Sequence, residues 1–155
     1  MLRCPGRGPG PARGQSTGWP VPRFETLRSD QAHLRAGPGF QYPILWVFHR
    51  AGLPVEVIGE FNVWRHVVLP DGSRGWLHEA LLRSVHSFIV TARRATLRRG
   101  PEADAGAVAY LDKGVVGLIS RCKAGSAWCR VITHHHGGYL RRPQIWGVFP
   151  HEAIK

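Results

Sequence analysis

The sequence predicts an all-β chain organised as two small barrels in tandem, and three observations predict it. The apolar runs, among them "YPILWVF", "VEVI" and "GVVGLI", have strand length and are rich in Val, Ile, Trp and Phe. Gly, Pro, Asp or Asn separates them at roughly ten-residue intervals, the rhythm of a small β-barrel. The stretch "LRAGPG" at 34–39 returns as "LRRGPE" at 97–102. The echo then continues: Gly52 falls on Gly114, Trp64 on Trp128, Val67 on Val131, and the "GWL" of 75–77 on the "GYL" of 138–140, always at an offset of 62–64. Chance clustering of Gly and Arg would not hold one offset, so the chain contains a repeat.

The elements follow in order. Ten of the first 22 residues are Gly or Pro, a composition that reads as a flexible leader over residues 1–23. A first barrel is expected over 24–84 and a diverged second over 85–150, joined near "SVHSFIVTARR". Within the first, "LPVEVIGEF" alternates Val55, Val57 and Phe61 against Glu56 and Glu60, and "VWRHVVL" carries Trp64 and Val67–Leu69 into the next strand. Asp71-Gly72 signals a two-residue hairpin, because both residue types tolerate positive φ. Short helical or 3₁₀ pieces fit only "HEALL" and "RPQI". In the second copy, Cys122 and Cys129 flank the turn-like "KAGSAW", where a hairpin could set the sulfurs face to face. A disulfide and two free buried thiols are both consistent with that placement.

The net charge of +11 is unevenly spread. Residues 23–83 carry seven bases and six acids, residues 84–155 eleven bases and four acids. The excess therefore belongs to the leader and the second half. No apolar run reaches the roughly 18 residues of a membrane-spanning helix, so no transmembrane segment is expected. The leader has no apolar core of the kind a secretory signal needs.

The residue chemistry bears on several functional readings. The acids Asp30, Glu56, Glu60, Asp71 and Glu79 show no spacing that aims two at one bond, and solvated strand faces account for them. Cys129 near His134–His136 invites a thiol nucleophile, but a strand position offers none of the helix-terminus activation such a thiol uses. The His134–His136 tract, with Cys122 or Cys129, could bind a soft metal, yet consecutive strand residues alternate faces, so at most two of the imidazoles converge. No catalytic residue, metal or cofactor is therefore expected. Arg93, Arg94, Arg98, Arg99, Lys123, Arg130, Arg141 and Arg142 could serve as phosphate contacts of a nucleic-acid-binding second barrel, the alternative reading, although no nucleic-acid motif accompanies them. A basic face suits anionic wall polymers or lipid headgroups equally.

The residues "HLRAGPGFQYPIL", the turn before "VEVI", then "VWRHV" and "DGSRGWLHEALL" together resemble the bacterial SH3-like domain. The second half keeps the opening, Trp128 and a terminal Gly-aromatic-Leu, but lacks the "YP" and carries three His in a turn. The resemblance implies two tandem SH3-like β-barrels and a non-enzymatic module that recognises cell-wall peptidoglycan, a peptide or a partner protein. It also implies a periplasmic or envelope location, whereas a chain that truly starts at Met1 without a signal peptide would be cytoplasmic. Its ligand groove would be formed by exposed aromatics. Tyr42, Trp46, Trp64 and Trp76 are the candidates in the first copy, with Tyr42 and Trp64 favoured, and Trp128 and Tyr139 in the second. Trp46 or Trp76 could instead fill the core. Arg35 and Arg98 recur at equivalent positions, consistent with bonding turn carbonyls or, for Arg35, with holding a ligand carboxylate.

Overall fold

In the computed structural model, which describes residues 12–155, the expected strands pair into two sheets. The first contains β1 (Arg23–Leu27), β2 (Ala32–Arg35), β3 (Ile44–Phe48), β4 (Pro54–Phe61), β5 (Trp64–Val68), β6 (Arg74–His78) and β7 (Leu82–Arg83). The second contains β8 (Ser87–Val90), β9 (Arg94–Arg98), β10 (Ala107–Asp112), β11 (Val116–Cys122), β12 (Trp128–Ile132), β13 (Gly137–Arg141) and β14 (Ile145–Trp146). The strand orders, β3-β2-β6-β5-β4-β1-β7 and β10-β9-β13-β12-β11-β8-β14, are the same order shifted by seven, and every pairing is antiparallel. The repeat in the sequence is thus a repeat of topology.

Alternation supplies the cores. Leu34, Val55, Val57, Val67, Leu77 and Leu82, drawn from five strands of the first sheet, meet in one buried cluster, which requires the sheet to curl around them. Leu97, Ile119, Val131, Leu140 and Ile145 do the same in the second. The "GWL" and "GYL" motifs have a steric reason. A Cβ on Gly75 would lie 2.8 Å from the carbonyl oxygen of Arg35, and one on Gly138 2.6 Å from that of Arg98, so β6 and β13 can cross β2 and β9 only with glycine there. Gly52 and Gly114 match because both turns need positive φ, at 92° and 95°.

The 3₁₀ turns fall where the sequence suggested, at Glu79–Leu81 and Arg142–Gln144. The hairpin at Asp71-Gly72 differs from expectation. Only Gly72 has positive φ (88°), and the Leu69 N–H donates to Ser73 O while the Gly72 N–H donates to Leu69 O, so Pro70–Gly72 form a three-residue loop. The two-residue turn lies instead at Asn62-Val63, where Asn62 adopts φ 53°.

Residues 1–11 of the expected leader lie outside the described residues. Residues 12–22 fold back on the first sheet: Arg13 bridges Pro20, and the N–H groups of Ser16 and Thr17 donate to Glu60 Oε1 at 2.9 and 2.8 Å. Arg23, where the leader was expected to end, already opens β1. The second sheet has a matching attachment at the other end of the chain, where Ile154 is buried and exchanges backbone hydrogen bonds with Cys122.

The two sheets pack on one another across Ser84–His86. Phe24 of β1 meets Trp146 edge-on at 5.0 Å and Phe149 at 4.6 Å. Thr26 Oγ1 donates to Val85 O and shares a 2.7 Å hydrogen bond with Ser87 Oγ, both side chains being buried. Ile89 and Val116 pack against the core of the first sheet. This accounts for four consecutive buried residues in β1, since a strand covered on both faces loses its alternation.

Candidate functional site

The first sheet carries a groove of about 340 Å³, lined by Gln31, His33, Arg35, Phe40, Trp64, His78, Ala80 and Leu81. Register builds it. Trp64 opens β5 directly opposite His78 at the end of β6, and their rings meet edge-on at 5.3 Å. Phe40, at the tip of the β2–β3 loop, lies edge-on to Trp64 at 5.0 Å and stacks on His78 at 5.8 Å. The His78 Nδ1 accepts from the Ala80 N–H, which holds the imidazole and leaves Nε2 free. Arg35 positions Phe40: its Nη1 donates to the carbonyls of Phe40 and Tyr42 at 3.2 and 3.0 Å, and the guanidinium lies over the Phe40 ring. Arg98 does the corresponding work in the second sheet, donating to Ala105 O.

Several candidates from the sequence sit elsewhere than expected. Trp64 lines the groove but is only 6% exposed, so it is the floor rather than an open platform. Phe40, at 69% exposure, supplies the accessible aromatic face. Tyr42 is 40% exposed, and its ring covers Gly37, outside the groove. Neither Trp46 nor Trp76 fills the core. Gly75 and Leu77 take the inward positions of β6, which turns Trp76 outward, where it stacks flat on His66 at 4.6 Å. Trp46 is 63% exposed on the edge strand β3 beside Ile44 and Leu45. Sequence reasoning missed Phe40 and His78. The available signals were a bulky apolar residue in a Gly/Pro loop and a His that β5–β6 pairing brings opposite Trp64.

The acids are not all solvated as expected. Glu60 is buried, paired to Arg23 Nη1 at 2.7 Å and hydrogen-bonded by the Thr17 hydroxyl at 2.6 Å. Burial alone would raise its pKa, but the hydrogen bonds from Thr17, Arg23 and Ser16 outweigh that and lower it to about 2. Glu79 pairs with the buried Arg65 at 2.8 Å. His66 is also shifted downward, by burial first and by the neighbouring Arg74 second.

In the second sheet, Cys122 and Cys129 stand opposite each other, Cα–Cα 4.4 Å, and are joined by a disulfide. His134–His136 occupy an exposed turn at the other end of β12, with neighbouring ring centroids 6.2 and 6.3 Å apart. Among the described residues no group of three or more His, Cys, Asp or Glu is arranged to hold a metal ion. Of the cations offered as phosphate contacts, Arg142 is buried and committed to the carbonyls of Ser126, Phe149 and Lys123. Arg94 lies over Tyr110. Trp128 and Tyr139 are half-buried and line a separate, smaller cleft.

A curled antiparallel sheet of this strand order is the architecture of a small SH3-like binding module, and the sheet is present here twice, with the aromatic groove on the first copy. The bacterial SH3 domain family matches residues 28–84 and again 91–147, and the chain belongs to that family. Bacterial SH3 domains are binding modules. No curated protein matches the sequence. Among solved structures, NlpC2 from Trichomonas vaginalis aligns at 12% identity and a TM-score of 0.36, over 81% of this chain and 48% of that one. NlpC1 from the same organism aligns at 14% and 0.38, over 89% and 51%. The chain thus spans about half the length of these structures. No helix among the described residues is long and apolar enough to cross a membrane.

Proposed function

We propose that the chain is a non-catalytic module of the bacterial envelope whose first barrel holds a cell-wall ligand, peptidoglycan or a peptide, between Phe40, Trp64 and His78. The carrying observation is the exposure of Phe40 over a buried Trp64 in a groove rimmed by Gln31, His33 and Arg35. A flat apolar face ringed by polar groups stacks on sugar or peptide and fixes its orientation. The groove is built for contact: its restrained imidazole, His78, is held by a backbone N–H and packed on aromatic rings.

Sedimentation of the protein with purified sacculi tests this. Wild type co-sediments, and Phe40→Ala loses about tenfold or more in affinity, as expected for an aromatic anchor, with its unfolding midpoint lowered only slightly, because the side chain is largely exposed and gives up only its contacts with Trp64 and His78. Failure of wild type to bind sacculi, together with sub-micromolar binding to DNA or RNA at physiological salt, would defeat the reading.

A further inference from the structure

The outer face of the second barrel carries a row of cations at positions where the first barrel has none but Arg35. Arg121 of β11 stands directly opposite Arg130 of β12, Arg130 opposite Tyr139 of β13, and Tyr139 opposite Arg98 of β9. The same ladder positions in the first barrel hold Gly59, His66, Trp76 and Arg35. Like charges paired across strands destabilise a sheet unless something binds them. Arg121, Lys123 and Arg130 line one cleft of about 90 Å³ with Trp128 and Tyr139. Among the described residues none of these three side chains, nor that of Arg141, forms an ion pair or hydrogen bond. No acid lines the cleft, and the Glu102 carboxylate of the adjoining loop turns back on Gly100.

The aromatic rings hold the guanidinium groups in place. Arg130 lies over Tyr139 at 5.8 Å and Arg141 over Trp128 at 5.9 Å. A guanidinium stacked in this way keeps its N–H edge free for an anion and loses little freedom on binding one.

From this we infer that the cleft is a second binding site, specific for a phosphate ester. Three cations converging from two strands and a turn suit a tetrahedral anion, which accepts hydrogen bonds from several directions. A planar carboxylate is satisfied by a single fork. The volume admits one small anionic group rather than a ring system. Tyr139 already carries the Arg130 guanidinium, which leaves Trp128 as the one ring in the cleft on which a base could stack, whereas single-stranded nucleic acid stacks successive bases. The site is separate from the Phe40 groove, and its fate does not depend on that reading.

The test is titration calorimetry of the full chain with three probes matched in charge: a poly(glycerol phosphate) oligomer, polygalacturonate and a single-stranded oligonucleotide. The poly(glycerol phosphate) oligomer is expected to bind at least tenfold more tightly than either of the others. The double variant Arg121→Gln/Arg130→Gln is expected to weaken it by tenfold or more with an unfolding midpoint no lower than that of wild type, since it relieves a like-charge pair, and Phe40→Ala to leave it unaffected. Equal binding of polygalacturonate would overturn the phosphate preference, and tighter binding of the oligonucleotide would replace the polymer with nucleic acid. Unchanged affinity in the double variant, or no binding of the poly(glycerol phosphate) oligomer at all, would remove the site.

Discussion

The two barrels share one strand order but fasten themselves by different chemistry at the same ladder position. In the first, Glu60 faces Arg65 across β4 and β5, and each finds its own partners: Glu60 binds Arg23, Ser16 and Thr17, and Arg65 binds Glu79. In the second, the corresponding pair is Cys122 and Cys129, joined covalently. Both positions also anchor a flanking segment, Ser16 and Thr17 through the Glu60 carboxylate and Ile154 through the Cys122 backbone. The grooves diverge in parallel. The loop and strand positions that hold Phe40 and His78 in the first barrel hold Ala103 and Arg141 in the second, while the tryptophan between them is kept as Trp64 and Trp128. The two clefts share only that tryptophan: Arg121 and Arg130 of the second barrel correspond to Gly59 and His66 of the first, which lie outside the Phe40 groove.

Breaking the first fastening should have the largest effect. Glu60→Ala leaves Arg23 without one of its two carboxylates and removes the acceptor for three donors, so we expect a loss of about 3 kcal/mol in urea unfolding, together with protease sensitivity of residues 12–22. The same group sets an acid limit. Its folded pKa, about 2, lies below the ordinary glutamate value of 4.5, so its contribution is full above about pH 4.5 and disappears as pH falls towards 2. An acid titration in which Glu60→Gln lost stability as steeply as wild type over that window would contradict the assignment.

Breaking the second fastening comes next. Cys122→Ser/Cys129→Ser, or reduction of wild type, should cost about 2–3 kcal/mol through the added freedom of the unfolded chain. Because the bridge lies wholly within the second barrel, the Phe40 groove should keep its ligand affinity. Gly138→Ala sharpens the comparison from the side of the backbone. Its Cβ would meet Arg98 O and Leu97, and a cost of about 1–3 kcal/mol is expected from overpacking, matched by Gly75→Ala in the first barrel. Near equality of the two costs would show that one steric requirement governs both copies. The smallest effect belongs to His66, whose lowered pKa means the folded state favours the neutral ring. Its contribution is present above about pH 6.5 and declines as pH falls, and His66→Gln should flatten that shallow slope in thermal melts.

Much of the fold was legible because it depends on local and periodic signals. The constant offset of the repeat, the strand-length apolar runs and the glycines of "GWL" and "GYL" all reflect short-range sterics that a sequence displays directly. The groove was legible only in part. Trp64 could be nominated by position, but its burial depends on Phe40 covering it, and that contact joins a loop tip to a strand end 24 residues away. Glu60 read as a solvated strand acid because alternation placed it beside Glu56 on the polar side. Nothing in the order of residues showed that Thr17 and Arg23, from a Gly/Pro-rich segment, would close over it.

By itself the sequence determined the class of structure, its duplication and the family, since strand period, turn chemistry and the repeat are properties of neighbours along the chain. Only the tertiary structure decided which aromatics are open, which charges are paired and which cations stand unpaired in a row. Those properties belong to residues brought together by strand register, and register is set by how a whole sheet buries its apolar face.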